Sequence, residues 1–473
     1  MISMGSPAIF ATGYDRSECR IGIVHVGYGA FHRAHQAVYV DDYMEATGDL
    51  NWGIAAVNLR ASESDAFADA AAAEGGYLLK STGTSAPTAW RMVRPHLDFA
   101  DWSRDSAAAE ALVALDTVHV ITITVTESGY YLDDAGCLNI SDPVIAEEIG
   151  GGARRSIFGY LAAALKRRFE AGGAAVSILC CDNIRGNGKM LRRAMLAWLD
   201  AAGDDQLSAW VASHVTFPCS MVDRITPRST SALNEEAETL FPKLARSPVH
   251  SEDYIQWVLE DHFAAQMPDL ARAGVEIVAD VDPYEEAKIR ILNGGHTGLA
   301  YLGALAGHQT FDQAMRDDRL RQHFEGLEQQ EVLPGLQLDL PFDRSVYCQR
   351  VAERFANEAI ADALERICMD GFAKFPIFIR PTIEGCLAQG ITPHHCFASV
   401  ASWYVYARRS ARNGTEIPYH EPNWHLLEPM LEPGGERDFA TSPLLWGELP
   451  EQYPELADGI AQSIEEMDKR WPA

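Results

Sequence analysis

Four residues able to exchange protons or donate to an oxygen recur along one short segment, Tyr284-Glu285-Glu286-Ala287-Lys288-Ile289-Arg290-Ile291-Leu292-Asn293-Gly294-Gly295-His296. On one helix turning about 100° per residue, with Lys288 at zero, Glu285 falls at about 60°, His296 at about 80° and Asn293 at about 140°. They share a face provided that Gly294-Gly295 leaves the helix unbroken. Lys and Glu three apart are common solvated pairs, but Asn293 and His296 lie among Ile, Leu, Gly and Ala, an unlikely surface. A second set is Cys181-Asp182-Asn183-Ile184-Arg185-Gly186-Asn187-Gly188, directly after the apolar run Ala175 to Leu179. Functional groups of doubly wound sheets gather beyond the C-terminal strand ends, where Asn183 stands; an Asx turn into a helix is the other reading.

A third set is Gly27-Tyr28-Gly29-Ala30-Phe31-His32, following the run Arg20 to Val26. It begins as G-x-G-x-x-G and carries His32 in place of the third glycine. Two glycines at a strand-to-helix turn let backbone approach a pyrophosphate at a helix N-terminus. The acidic ribose-binding residue expected after the second strand is missing, because that strand ends Val57-Asn58-Leu59-Arg60. Asn58 suits a ribose hydroxyl and Arg60 a 2′-phosphate, which leaves NAD and NADP both open. Tyr284 and Lys288 match the Tyr-x-x-x-Lys dyad of short-chain dehydrogenases, but this chain is about twice their length and its glycine turn is spaced differently. His32-Arg33-Ala34-His35 and His394-His395 contain no H-E-x-x-H, and no Cys/His set has zinc-site spacing. Metal-free chemistry is expected.

The elements that must position these residues alternate in the first half. Strand-like runs at Arg20–Val26, Trp52–Leu59, Thr117–Val125 and Ala175–Leu179 are separated by a helix-like stretch through His35 and Tyr43, an alanine-rich helix over Ser62–Glu74, and a polar connection. Such alternation predicts a mostly parallel sheet with helices on both faces. From Pro283 onward the pattern is helical and punctuated by prolines, so a boundary is placed there: a dinucleotide-binding Rossmann-type domain over 1–282 and a mainly helical substrate domain over 283–473.

With 39 Lys+Arg against 67 Asp+Glu the chain carries −28, which excludes the basic surface of a nucleic-acid or anionic-lipid binder. Hydrophobic residues make up 47% and charged residues 22%, ample for a folded core and contrary to disorder. No apolar run approaches the roughly 18 residues of a membrane helix. The opening residues lack a basic start and apolar h-region, and the nine cysteines form no C-x-x-C pair. A reduced, cytoplasmic protein is expected.

Taken together, GYGAFHRAHQ (27–36), TVTESGYY (124–131), CDNIRGNG (181–188), MVDRITP (221–227), EDYIQWVLED (252–261), PYEEAKIRILNGGH (283–296) and DGFAKFP (370–376) resemble the polyol-specific long-chain dehydrogenases, the mannitol dehydrogenase family. The wording is closest to its D-arabinitol 4- and mannitol 2-dehydrogenases. The resemblance implies a Rossmann-type domain, a helical domain, and an active site in the cleft between them. It implies metal-independent oxidation of a secondary alcohol of a sugar alcohol, D-arabinitol or D-mannitol type, to the ketose with NAD. By the same resemblance Lys288 is the general base, Asn183 and Asn293 hold the reacting oxygen, His296 binds substrate and Glu285 links the lysine to solvent. Asp223 and Lys374 fall beside the substrate, Lys374 where mannitol enzymes carry an arginine. Gly27, Gly29, Ala30, Phe31, Asn58, Arg60, Thr126 and Glu127 are expected at the cofactor. A free lysine titrates near about 10.4; desolvation, with Lys374 as a like charge, would lower it.

Rival readings are a hexuronate reductase of the same family, with Lys374 and Arg380 for a carboxylate, a β-hydroxyacid dehydrogenase, and a non-catalytic NAD-binding sensor. The expected partner is a small polyol or ketose, on a monomer or small homo-oligomer.

Overall fold

The computed structural model describes residues 9–471 apart from 74, 84–86, 134–135, 265 and 337. Glu74, the expected end of the alanine-rich helix, and the first eight residues of the stretch read for a leader lie outside them. The chain divides into two compact units, Met1–Asp282 and Pro283–Ala473.

The first unit is built on six parallel strands, β1 (Ile21–Val26), β2 (Gly53–Asn58), β3 (His96–Asp101), β4 (Val120–Ile123), β5 (Val176–Cys180) and β6 (Val215–Thr216). Their order across the sheet is β3-β2-β1-β4-β5-β6. Alternate side chains point to opposite faces. Val24, Val26, Ile121 and Ile123 enter one core, while Ile23, Val120 and Leu179 enter another. Burial on both faces is why these strands read as unbroken apolar runs.

Two smaller sheets extend the unit. One is β7 (Ser220–Asp223) antiparallel to β8 (Gln256–Glu260), which is parallel to β9 (Glu276–Val278). The other orders Ile9–Ala11, Ala89–Val93, Tyr77–Thr82 and Val249–Glu252. The supposed polar connection after the alanine-rich helix is therefore three strands, two in this sheet and β3. Their interspersed polar residues, buried His96 and exposed Asp98 among them, hide the strand pattern. The helix through His35 is also two helices, α1 (Ala30–Ala34) and α2 (Gln36–Thr47). His35 breaks it at φ −123°, ψ −89°, its Nε2 within 2.8 Å of the Gln256 carbonyl on β8.

The second unit is helical, and among its described residues the β pairing is an isolated bridge, Thr310 with Ala363. The segment carrying the polar face is continuous. A turn of α-helix over Asp282–Ala287 passes into a π-helical turn over Lys288–Asn293 and then into α3 (Gly294–Leu305). Gly294-Gly295 does not interrupt it. A Cβ on Gly295 would stand 2.5 Å from Oε1 of Glu328, so the glycine serves close packing. A long buried helix, α4 (His394–Ala411), and the C-terminal α5 (Glu455–Arg470) complete the core.

Candidate active site

Crevices of open parallel sheets form where the strand order reverses, here between β1 and β4. Gly27, Gly29, Asn58, Arg60, Thr126 and Tyr131 line such a crevice, of about 810 Å³, beyond the strand ends. Gly27 takes φ +99°, and a Cβ there would fall 1.9 Å from the Thr124 carbonyl oxygen. Only glycine tolerates that turn. Before Gly29, by contrast, the space is open for 4 Å, as a backbone must leave it for a ligand.

His32, in the third glycine's place, lies flat on His25 of β1, ring centroids 3.3 Å apart. Its Nε2 stands 2.9 Å from Nε2 of His96. His25 in turn reaches the Gly27 carbonyl at 2.8 Å. Burial pushes His25 down to about 3 and His32 and His96 well below the usual range. Neutral stacked rings thus replace the close helix–strand approach that a glycine would give.

The other residues expected at the cofactor are placed as follows. Asn58 is closed on its own turn, Oδ1 accepting the Arg60 amide at 3.2 Å and Nδ2 donating to the Arg60 carbonyl at 3.0 Å. It thus shapes the β2 end while lining the crevice. Ala30, Phe31 and Glu127 are not among the residues lining the crevice; Phe31 stacks on His35, 4.9 Å between centroids. The broken helix also leaves α1 too short to supply a strong dipole.

Sequence reasoning missed Asp182. Its Oδ2 accepts the Val125 amide at 2.9 Å and the Tyr130 hydroxyl at 2.7 Å, and its Oδ1 accepts the Thr126 amide at 3.1 Å. Burial raises its carboxyl. The signal was an acid at the end of an apolar strand. Asn183 follows it, exposed. Asn187, buried, ties this loop down by donating to the Asp182 and Ser220 carbonyls and accepting the Ser220 amide at 3.0 Å. Asp223 ends β7, 5% exposed and in register with Gln256.

In the second unit the π turn changes the geometry of the polar face. Its i→i+5 bonding inserts one residue per turn, setting positions downstream back by about 100°. Relative to Lys288, Asn293 then stands at about 40° and His296 at about −20°, a tighter arc than a uniform helix gives. Lys288 and Glu285 are buried, 7% and 9% exposed. Nδ2 of Asn293 is buried and has no hydrogen-bond partner among the described residues. The His296 ring is stacked on Phe355 at 4.9 Å and edge-on to Phe311 at 4.4 Å, with Asp362 3.8 Å from Nε2. Burial pushes His296 down to about 3, and Arg366 and Lys374 press the same way against Asp362. Lys374 donates to the Ile367 carbonyl at 2.9 Å, and burial lowers its ammonium. Tyr284 is 9% exposed, its ring 5.6 Å from that of Phe342. Among the described residues no group of three His, Cys, Asp or Glu is placed to hold a metal ion, and none of the nine cysteines is in a disulfide.

A 3-2-1-4-5-6 parallel sheet with a glycine turn at its switch point, in a chain with a further helical unit, defines a Rossmann-type dinucleotide-binding protein. Residues 21–272 match the mannitol dehydrogenase Rossmann domain and 280–468 the mannitol dehydrogenase C-terminal domain. The chain belongs to the mannitol dehydrogenase family, oxidoreductases acting on CH–OH groups. It is 39% identical to a D-arabinitol 4-dehydrogenase of Ralstonia nicotianae, over 90% of this chain and 92% of that one. It is 35% identical to a mannitol 2-dehydrogenase of Cereibacter sphaeroides, over 94% and 92%. The Pseudomonas fluorescens mannitol 2-dehydrogenase, solved as a ternary complex with NAD and D-mannitol, superposes with a TM-score of 0.86 at 31% identity, covering 98% of this chain and 95% of that one. No helix among the described residues is long and apolar enough to cross a membrane.

Proposed function

We propose that the protein oxidises a secondary alcohol of a sugar alcohol, of D-arabinitol or D-mannitol type, to the ketose with NAD. The observation that carries this is the buried, unpartnered Nδ2 of Asn293, one wide helical turn from buried Lys288. A buried donor without an acceptor costs about 1–3 kcal/mol, a cost offset when a substrate oxygen fills the place.

Bound NAD supplies the hydride acceptor. The open backbone at Gly29 and the turn at Gly27 suit its pyrophosphate, and Arg60 and Thr126 flank the same crevice. The alcohol's hydroxyl proton passes to Lys288, because a base must touch that oxygen as the carbon gives up hydride. Asn293 donates to the oxygen as negative charge develops, a part that the family resemblance gives Asn183 as well. Glu285, three residues before Lys288, passes the proton on towards solvent. Neutral His296 and Asp223 orient the remaining hydroxyls.

Both cations that would suit a hexuronate carboxylate are turned to backbone instead, Lys374 to the Ile367 carbonyl and Arg380 to the Leu445 carbonyl at 3.3 Å. That favours a neutral polyol. The test is NADH absorbance with D-arabinitol, D-mannitol, D-sorbitol and xylitol, against fructuronate and tagaturonate in reverse. Turnover of the hexuronates alone would reject the proposal.

A further inference from the structure

We propose that Arg224 is a positioning residue for the polyol: with His35 it clamps the end of the glycine-turn helix α1 to the strand end that presents Asp223. The inference rests on the reading of Asp223 as a substrate ligand. Asp223 is the last residue of β7, and Arg224 follows it. The Arg224 side chain is buried, and its donors go chiefly to backbone. Nε and Nη2 donate to the Glu252 carbonyl at 3.0 and 2.9 Å, Nη2 also to the Ser81 hydroxyl at 3.2 Å, and Nη1 to the Ala34 carbonyl.

Ala34 is the last residue of α1. The break at His35 leaves the carbonyls of that turn without helical partners, and side chains from elsewhere take them. The Tyr77 hydroxyl donates to the Arg33 carbonyl at 2.7 Å, and Arg224 to that of Ala34. His35, the next residue, donates from Nε2 to the Gln256 carbonyl at 2.8 Å, and Gln256 is the register partner of Asp223 on β8. Two consecutive residues at the break therefore hold the two neighbours of Asp223, one along the chain and one across the sheet. Beyond them the Ile225 amide donates to Oε1 of Glu252 at 2.5 Å, and the Ile225 carbonyl accepts the Glu252 amide at 3.0 Å. The strand end cannot turn without breaking these bonds. At its other end α1 starts from Gly29, on the dinucleotide crevice. Only a planar fork spans the Ala34 and Glu252 carbonyls together; a lysine keeps the charge but not that reach.

The test is steady-state kinetics of the full chain on whichever of D-arabinitol, D-mannitol, D-sorbitol and xylitol it oxidises, with calorimetric titration of NAD. The variants are Arg224→Lys, Asp223→Asn and the two combined. Arg224→Lys should raise the polyol KM about tenfold, the lower end for losing a hydrogen bond to a charged group, with kcat and NAD affinity held within about threefold. Asp223→Asn should raise KM at least as far. The double variant should match Asp223→Asn alone, because Arg224 acts through Asp223. Ser81→Ala, which trims only the hydroxyl at Nη2, should raise KM about threefold, again absorbed by Asp223→Asn, and carries the test if Arg224→Lys does not fold. Effects that multiply in the double variant, a loss shared equally by kcat, polyol KM and NAD affinity, or an unchanged polyol KM would overturn the positioning role. If Asp223→Asn itself leaves KM unchanged, the reading of Asp223 falls; if no polyol is oxidised, the proposed function falls.

Discussion

Thr126 stands at φ +69°, ψ +160°, with its amide hydrogen on the Asp182 carboxylate 3.1 Å away. That region of backbone space is nearly closed to residues with a side chain, at about 1–3 kcal/mol each. Asp182 also takes the Val125 amide and the Tyr130 hydroxyl. One carboxylate from the end of β5 thus holds the strained loop after β4 against the dinucleotide crevice.

Asp182→Asn should therefore weaken NAD binding by about tenfold and lower Tm. The replacement amide sets an N–H against a backbone N–H and leaves a buried donor unpaired, at about 1–3 kcal/mol. Calorimetric titration with NAD and a melting curve check both effects. Unchanged affinity would mean that the loop does not position the cofactor.

Asn293→Ala separates function from stability. Turnover should fall by about 10²–10³-fold, the usual loss of one donor to a developing oxyanion. Tm should hold, because the lost Nδ2 has no partner among the described residues. An active Asn293→Ala enzyme would remove the residue from the chemistry.

Buried histidines set the acid limit. Burial pushes His25, His296 and His323 from 6.5 to about 3, so the unfolded chain binds more protons than the folded one between those values. Their contribution to stability is complete above about pH 6.5 and lost as pH falls towards 3. Tm should drop steadily from pH 7 to 4.5. A flat profile over that range would contradict the assignment.

Prolonged dialysis against EDTA should leave turnover intact, since lysine and amides carry the proposed chemistry. Loss of activity restored by zinc would reject it.

The four inner strands were legible because burial on both faces writes them as apolar runs, Ile21 to Val26 being the clearest. β3 was not legible, because Asp98 and Asp101 give it the look of a loop, and β6 is two residues long. The break at His35 has no proline or glycine to announce it. The glycine turn was readable, yet the Asp182 clamp joins residues 57 apart, a distance no local pattern encodes. The π turn at Lys288–Asn293 left no mark either. Uniform helical spacing put Asn293 about 100° too far round, and only the wider turn draws it back over Lys288.

The choice of base can be decided by two substitutions. If Lys288 takes the proton, Lys288→Ala should lose at least about 10²-fold in turnover, the lower end for general-base catalysis. NAD affinity should hardly change, because the lysine serves the substrate. A small external amine should restore part of the rate. Tyr284→Phe should be mild, whereas a Tyr-x-x-x-Lys dyad requires it to be severe. Polyol oxidation should rise with pH through one apparent pKa as the ammonium loses its proton, and Lys288→Ala should abolish that limb. Neutral His296, held down to about 3 by burial, supplies no competing limb near neutrality. A dead Tyr284→Phe enzyme beside a Lys288→Ala enzyme of normal turnover would transfer the role to the tyrosine.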